Sequence, residues 1–342
     1  MPANVTSDPG PATAADATTD EVTLRSVQAA AELIGPYVVR TPTLPVGRLA
    51  ELLGLPVYAK FEMLQHTGAF KARGAFNRML HLSDAERAAG VVAVSGGNHG
   101  LAVAYAAREL NITATVIMPS TTAAASVSRA RADGAHVVVT DTIAQAFHQA
   151  LQEVAAGKAM IHPFDDPAVI AGQGTLGLEL HADAPGITDV VASIGGGGMI
   201  TGVATALKAL NPDIRIWGVE TVGADAMTRS LAARQPVTLD TITSIATTLG
   251  APTVSPQTLA AVQSLVEEVV LVSNADAVRG IELFAAVSKV VTEPAAACTW
   301  PAALAIRDRL PADAKVALIL CGGNAGLDDI ARWRLQFSAD VA

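Results

Sequence analysis

Asp189-Val-Val-Ala-Ser193-Ile-Gly195-Gly-Gly-Gly198-Met199-Ile-Thr-Gly-Val-Ala-Thr-Ala-Leu-Lys-Ala-Leu210 reads as three pieces. Asp189–Ile194 is short and apolar, as a buried strand requires, and Ile200–Leu210 is helical. Four glycines turn one into the other. Without Cβ atoms such a loop can curl, present successive N–H groups and set an anion at the positive end of the helix. A plain βα turn also uses glycine, but four in a row are costly in chain entropy, which favours a phosphate trap. The loop lacks the Gly-Lys-Ser/Thr of a Walker loop and the spaced acidic residue of the dinucleotide fingerprint.

The same unit recurs. Val91–Val94, Ile112–Met118 and Gly134–Val139 read as strands, separated by helices at His99–Glu109 and about Ala123–Ala132. Ile214–Val219 and Val316–Leu320 extend the series. Strands alternating with helices at this spacing predict parallel sheets flanked by helices, an α/β fold. Ligands in such folds sit at the carboxyl ends of the strands.

Composition narrows the function. At 342 residues the chain is long enough for two domains. A net charge of −9 argues against nucleic acid or an anionic membrane as partner, so any bound phosphate must be held locally by backbone amides. No apolar run is long enough for a membrane span. Residues 1–20, rich in Ala, Thr, Pro and Asp, lack the basic and apolar regions of a signal peptide and read as a disordered leader. Cys298 and Cys321 have no metal-ligand spacing; without an export signal they are expected to be reduced, in the cytoplasm.

Three more segments carry chemistry. In Thr67-Gly-Ala-Phe70-Lys71-Ala-Arg73-Gly74 a lone lysine enters a helix behind an aromatic residue. A Schiff-base amine must shed its proton near neutral pH, which an apolar wall (Phe70) and a nearby cation (Arg73) would favour. A solvated lysine beside a helix cap at Thr67 and Gly68 is the plainer alternative. Ser95-Gly96-Gly97-Asn98-His99-Gly100 follows a strand and opens a helix, so its amides and polar side chains can clamp a carboxylate or cap the helix. Cys321 ends a buried strand before Gly322-Gly323-Asn324, where a small hydrophobe needs no function.

These four motifs, in this order, resemble the fold-type II family of pyridoxal phosphate (PLP) enzymes, and within it the serine/threonine dehydratase and serine racemase branch. The resemblance runs from about Gly35 to Leu335. It implies a two-domain α/β fold of tryptophan synthase β-like type, with residues 90–167 as a small domain inserted into a large one (21–89 and 168–342). It implies that Lys71 carries PLP as a Schiff base and, once freed, removes the substrate's Cα proton. Gly195, Gly196, Gly197, Gly198 and Met199 would hold the phosphate, Phe70 the ring's surroundings, and Asn98 the 3′-oxygen. Ser95, Gly96, Asn98 and His99 would take the substrate carboxylate, and Cys321 would face the pyridine nitrogen. Glu293, in Glu293-Pro-Ala-Ala-Ala, matches a segment near the cofactor, although a helix start with proline in its first turn accounts for it equally.

The expected activity is a dehydratase (ammonia-lyase) acting on an amino acid of the threonine or serine type, in a homodimer or other homo-oligomer. The stretch after Cys321 is short, so a stand-alone catabolic enzyme is expected. Two departures from the branch matter. Gly96 stands where racemases carry a hydroxyl, so racemisation is not expected. The branch's cation site is matched by Glu220 and Ala224 but not by Ala226, Asp225 lying one place early, so no metal is assigned. Ser244–Pro252 contains no acidic residue, which would leave a less polar wall and admit a bulkier substrate such as phenylserine. A non-catalytic PLP- or phosphate-binding regulator is the rival from another class.

Overall fold

The computed structural model describes residues 21–337; the leader expected at 1–20 lies outside them. Two sheets organise the chain. The larger, in spatial order, is β1 (Thr43–Pro45), β2 (Val57–Phe61), β10 (Val316–Leu320), β7 (Asp189–Ser193), β8 (Arg215–Thr221) and β9 (Glu268–Val272). The smaller is β5 (His136–Thr140), β4 (Ala114–Pro119), β3 (Val91–Val94) and β6 (Ala159–Met160). All pairings are parallel except β1 with β2. That antiparallel edge departs from the expected all-parallel sheets. Pro42 precedes β1 and Pro45 ends it, confining it to three residues at the sheet edge, where a missing N–H is tolerated.

The six strands read from the sequence are present within one or two residues, whereas β2, β6 and β9 were not read from it; one shift is informative. β4 begins at Ala114 and not Ile112, because Asn111 turns left-handed (φ 54°) and the Ile112 amide is spent on Ala107 O. Central strands are buried on both faces, as parallel sheets under helices require: β3, β7 and β10 have no exposed residue. Each sheet has its own principal apolar core. The four-stranded sheet uses residues 91–160. On this basis the division into an inserted small domain (90–167) and a large one (21–89, 168–342) is proposed.

One buried ionic cluster sets the position of helix α1 (Lys71–Leu80). Arg73, fully buried, gives two hydrogen bonds to Glu62 (2.8 and 2.9 Å) and two to Glu179 (2.7 and 2.9 Å). Lys60 adds a 2.6 Å contact to Glu179. Glu62 follows β2, and Glu179 lies on helix α3 (Pro167–Asp183), α2 being Asn98–Glu109. The cluster thus ties sheet, α1 and α3 together. α1 and α3 also meet backbone to backbone: a methyl group on Gly172 would lie 2.7 Å from Arg73 O and 2.8 Å from Gly74 Cα. Arg73 is therefore spent on structure. Contrary to expectation, it is not among the groups that shift the Lys71 pKa.

Removing Arg73 would strand the buried Glu62 carboxylate and leave the part-buried Glu179 with Lys60 alone. Arg73→Met is predicted to cost about 3–5 kcal/mol, and Arg73→Lys to recover only part, because a point charge cannot serve two carboxylates bidentately. Urea denaturation of the two variants tests this; an unchanged midpoint in Arg73→Met would contradict it.

Candidate active site

Lys71 is the first residue of α1, and its place is set by the neighbouring β10 loop. Phe70 N donates to Cys321 O at 3.0 Å, and Ala69 forms an isolated bridge with Gly322. Lys71 and Cys321 are thus neighbours by backbone pairing. The helix start is not side-chain capped, contrary to the alternative in which Thr67 and Gly68 serve: the N-cap is Phe70, and Thr67 sits in a left-handed turn (φ 63°). Lys71 Nζ donates to Pro163 O at 2.7 Å and lies 5.1 Å from the Phe70 ring centre. Desolvation lowers its pKa from 10.5 to about 8. Arg73 contributes nothing to this shift, being neutralised by Glu62 and Glu179.

The glycine loop follows β7, the strand paired with β10. Gly197 has φ 92° and is the N-cap of helix α4 (Gly198–Leu210). The amides of Gly195, Gly196 and Gly197 donate to no protein acceptor among the described residues. The loop is closely walled: a methyl group on Gly196 would lie 2.2 Å from the Phe164 ring, and one on Gly197 would lie 2.8 Å from Thr258 Cβ. Free amides at a helix start, in a cradle that any Cβ would fill, fit a phosphate. Met199 offers only its backbone to such a group, since its side chain belongs to the large core.

Cys321 is buried and accepts a 3.4 Å hydrogen bond from Ser193 Oγ. Burial and the nearby Glu293 carboxyl push its thiol up to about 12, so it stays protonated. Ser95 Oγ accepts from Gly97 N at 3.2 Å and shapes the loop; it does not cap the following helix, whose N-cap is Gly97. Asn98 begins α2. His99 is buried, with Nε2 2.8 Å from Ile161 O and Nδ1 unpaired, and desolvation lowers its pKa to about 3. A neutral His99 with its proton on Nε2 satisfies this pairing.

Glu293 joins the pieces. Its Oε1 accepts from Asn98 Nδ2 and Thr248 Oγ1, both at 2.8 Å, and its Oε2 from Asn324 N at 3.1 Å. It is the N-cap residue of Pro294–Ala297, but its side chain does not cap that helix, so the plain helix-start reading falls short. Asn324 Nδ2 donates in turn to Asn98 Oδ1 at 2.7 Å. Ser244–Pro252 carries no acid of its own. Its Thr248 reaches an acid supplied 45 residues later.

The structure therefore brings Phe70, Lys71, Asn98, Glu293, Gly322 and Cys321 together through direct contacts. Pro163, Phe164, Thr248 and Asn324 were missed as site residues. The run His162-Pro-Phe-Asp-Asp-Pro167 between β6 and α3 was the available signal for the first two. Glu220 lies elsewhere: its carboxylate accepts from the amides of Met227 and Thr228 (2.9 and 2.7 Å) and caps the helix Ala226–Ala233. No cluster of three or more potential metal-ligating side chains occurs among the described residues.

A fold of two parallel sheets with a lysine, a free glycine cradle and a buried thiol at the strand ends defines an enzyme class. The chain belongs to the pyridoxal-phosphate dependent enzyme family, whose model matches residues 34–322. It is similar to the L-threonine ammonia-lyase of Thermotoga maritima, 36% identical over 91% of this chain and 78% of that one. The phenylserine dehydratase of Ralstonia pickettii is 37% identical over 92% of this chain and 97% of that one. Maize serine racemase superposes with a TM-score of 0.86 at 33% identity, covering 94% of this chain and 98% of that one. The protein is a PLP-dependent lyase of the dehydratase type, which sets aside the regulatory reading.

Two outcomes are expected. Gly197→Val would force a branched side chain into a left-handed conformation and onto Thr258. Such strain costs about 1–3 kcal/mol, so PLP affinity should fall roughly 10- to 100-fold in equilibrium dialysis; unchanged affinity would overturn the cradle. The second concerns Lys71 in the apoprotein. Its ammonium form is disfavoured in the fold, so the destabilisation is complete below about pH 8 and is relieved as pH rises toward 10.5. The Tm difference between apo Lys71→Met and apo wild type should therefore favour the variant most below pH 8 and shrink toward pH 10. A pH-independent difference would contradict it.

Proposed function

We propose that this enzyme converts an L-β-hydroxy amino acid into a 2-oxo acid and ammonia, with threonine accepted and larger apolar β-substituents such as the phenyl group of phenylserine also admitted. The reading places it in the cytoplasm as a homodimer or other homo-oligomer. Lys71 would hold PLP covalently, Gly195–Gly198 its phosphate, Asn98 its 3′-oxygen and Cys321 its ring nitrogen. When bound, the cofactor supplies an electron sink for the charge left at Cα.

The residues divide the remaining work. Lys71, freed by the incoming substrate amine, is a base whose pKa of about 8 lets it take the Cα proton near neutral pH. Ser95–Asn98 and the amides at the start of α2 orient the carboxylate. The observation that carries elimination is Cys321. A thiol raised to about 12 is a neutral, weak donor and does not keep a pyridine nitrogen protonated as a carboxylate would. Cys321 would therefore suit the cofactor to β-elimination better than to chemistry that needs a protonated ring.

Thr248 supports the wider pocket. Its methyl lies 3.3 Å from where a side chain on Gly97 would begin, and its hydroxyl is committed to Glu293. Glu293 accepts from Asn98, Thr248 and Asn324, so its carboxylate is engaged within the protein and less available to a small substrate's hydroxyl. An apolar pocket discriminates by only about 1–3 kcal/mol per methylene, so overlapping activities are expected. Steady-state kcat/KM for 2-oxo acid release from serine, threonine and phenylserine tests the reading. Threonine and phenylserine should both react; strict preference for serine, with phenylserine inert, would defeat the proposed pocket.

A further inference from the structure

The side-chain space of Gly96 is already taken. A Cβ on Gly96 would lie 2.1 Å from Thr122 Oγ1 and 3.0 and 3.1 Å from Thr122 Cβ and Cγ2. Thr122 follows β4, with its amide bonded to Pro119 O at 2.9 Å. β3 and β4 are neighbouring parallel strands, so Gly96 and Thr122 leave the same sheet edge. Alanine or serine at 96 would have to displace the threonine.

The Thr122 hydroxyl is buried and has no hydrogen-bond partner among the described residues. Burying a hydroxyl unpaired is costly, and one left so beside a ligand loop finds its partner in the ligand. What that partner is follows from the surroundings. Thr122 packs on the Ser95–Asn98 loop, just ahead of the twelve-residue helix α2, whose positive end favours an anion. A hydroxyl can donate to an anion there. His99 Nδ1, the other unpaired polar atom close by in sequence, cannot: with Nε2–H given to Ile161 O it is only an acceptor. Among the described residues no acid or base hydrogen-bonds Thr122 Oγ1 to relay a proton, so it is suited to binding and not to proton transfer.

We propose that Thr122 is a substrate-binding residue whose hydroxyl donates a hydrogen bond to the α-carboxylate of the amino acid, from the space that Gly96 leaves open. This rests on the reading of Ser95–Asn98 as the carboxylate loop. The second hydroxyl of that loop thus comes from a neighbouring strand end.

The test uses holoenzyme and two amines that cannot eliminate: L-alanine, and ethylamine, which is the same chain without the carboxylate. Their dissociation constants are read from the cofactor's absorbance change. Thr122→Val should weaken L-alanine on the order of tenfold, leave ethylamine unchanged and retain full PLP content. Thr122→Ser should bind both like wild type. Wild-type L-alanine affinity in Thr122→Val, with a loss in Ser95→Ala, would overturn the role of Thr122 and keep the loop. No loss in either variant would remove the carboxylate loop as well. Equal losses for both ligands in Thr122→Val would make the threonine a packing residue and refute the proposal.

Discussion

The Arg73 cluster is the constraint on which the site depends. Lys71 must present its amine at a defined point, and a residue at the first position of a helix inherits whatever freedom that helix has. Two carboxylates holding one guanidinium, two residues along the same helix, remove that freedom. The charges also partition the chemistry. Because the cation of Arg73 is neutralised inside the protein, the Lys71 amine is tuned chiefly by dehydration, which lowers its pKa, with Cys321 opposing.

Around this fixed amine the site is built mostly from backbone. Parallel strands leave their loops at one edge, and those after β7 and β10 bring the glycine cradle and Cys321 beside Lys71. Side chains then join loops that the sheets only bring near. Asn98 comes from the small sheet, Glu293 and Asn324 from either side of β10, and Thr248 from the crossover between β8 and β9. One carboxyl accepts from all three partners, so loops from both sheets share a single hydrogen-bond centre.

Much of this was legible in the sequence wherever a function is written in consecutive residues. The four glycines, the lysine at a helix start and the Ser95–Gly100 loop declare themselves because each demands special backbone geometry over a few positions. Contacts between distant segments were not legible. Pro163 meets Lys71 across 92 residues, and Glu293 meets Asn98 across 195. No periodicity encodes such pairings. Gly96 illustrates the difference. By itself it reads as a missing side chain, and only the fold shows that Thr122 occupies the space. Arg73 was misread for a related reason: its neighbours in sequence suggested a catalytic field, whereas Glu62 and Glu179 bury it in a structural one.

The Asn98 side chain bridges the two halves of the molecule. It donates to Glu293 and accepts from Asn324, while Arg129, on the small-sheet side, donates to Asn324 Oδ1 at 2.8 Å and to Thr67 O. Any separation of the sheets to admit a substrate must break this polar latch, and water can heal every broken bond. One closed arrangement satisfies all four bonds at once, which defines a single register of the loops. The latch therefore acts as an alignment key for the loops that carry Asn98, Asn324 and Thr67.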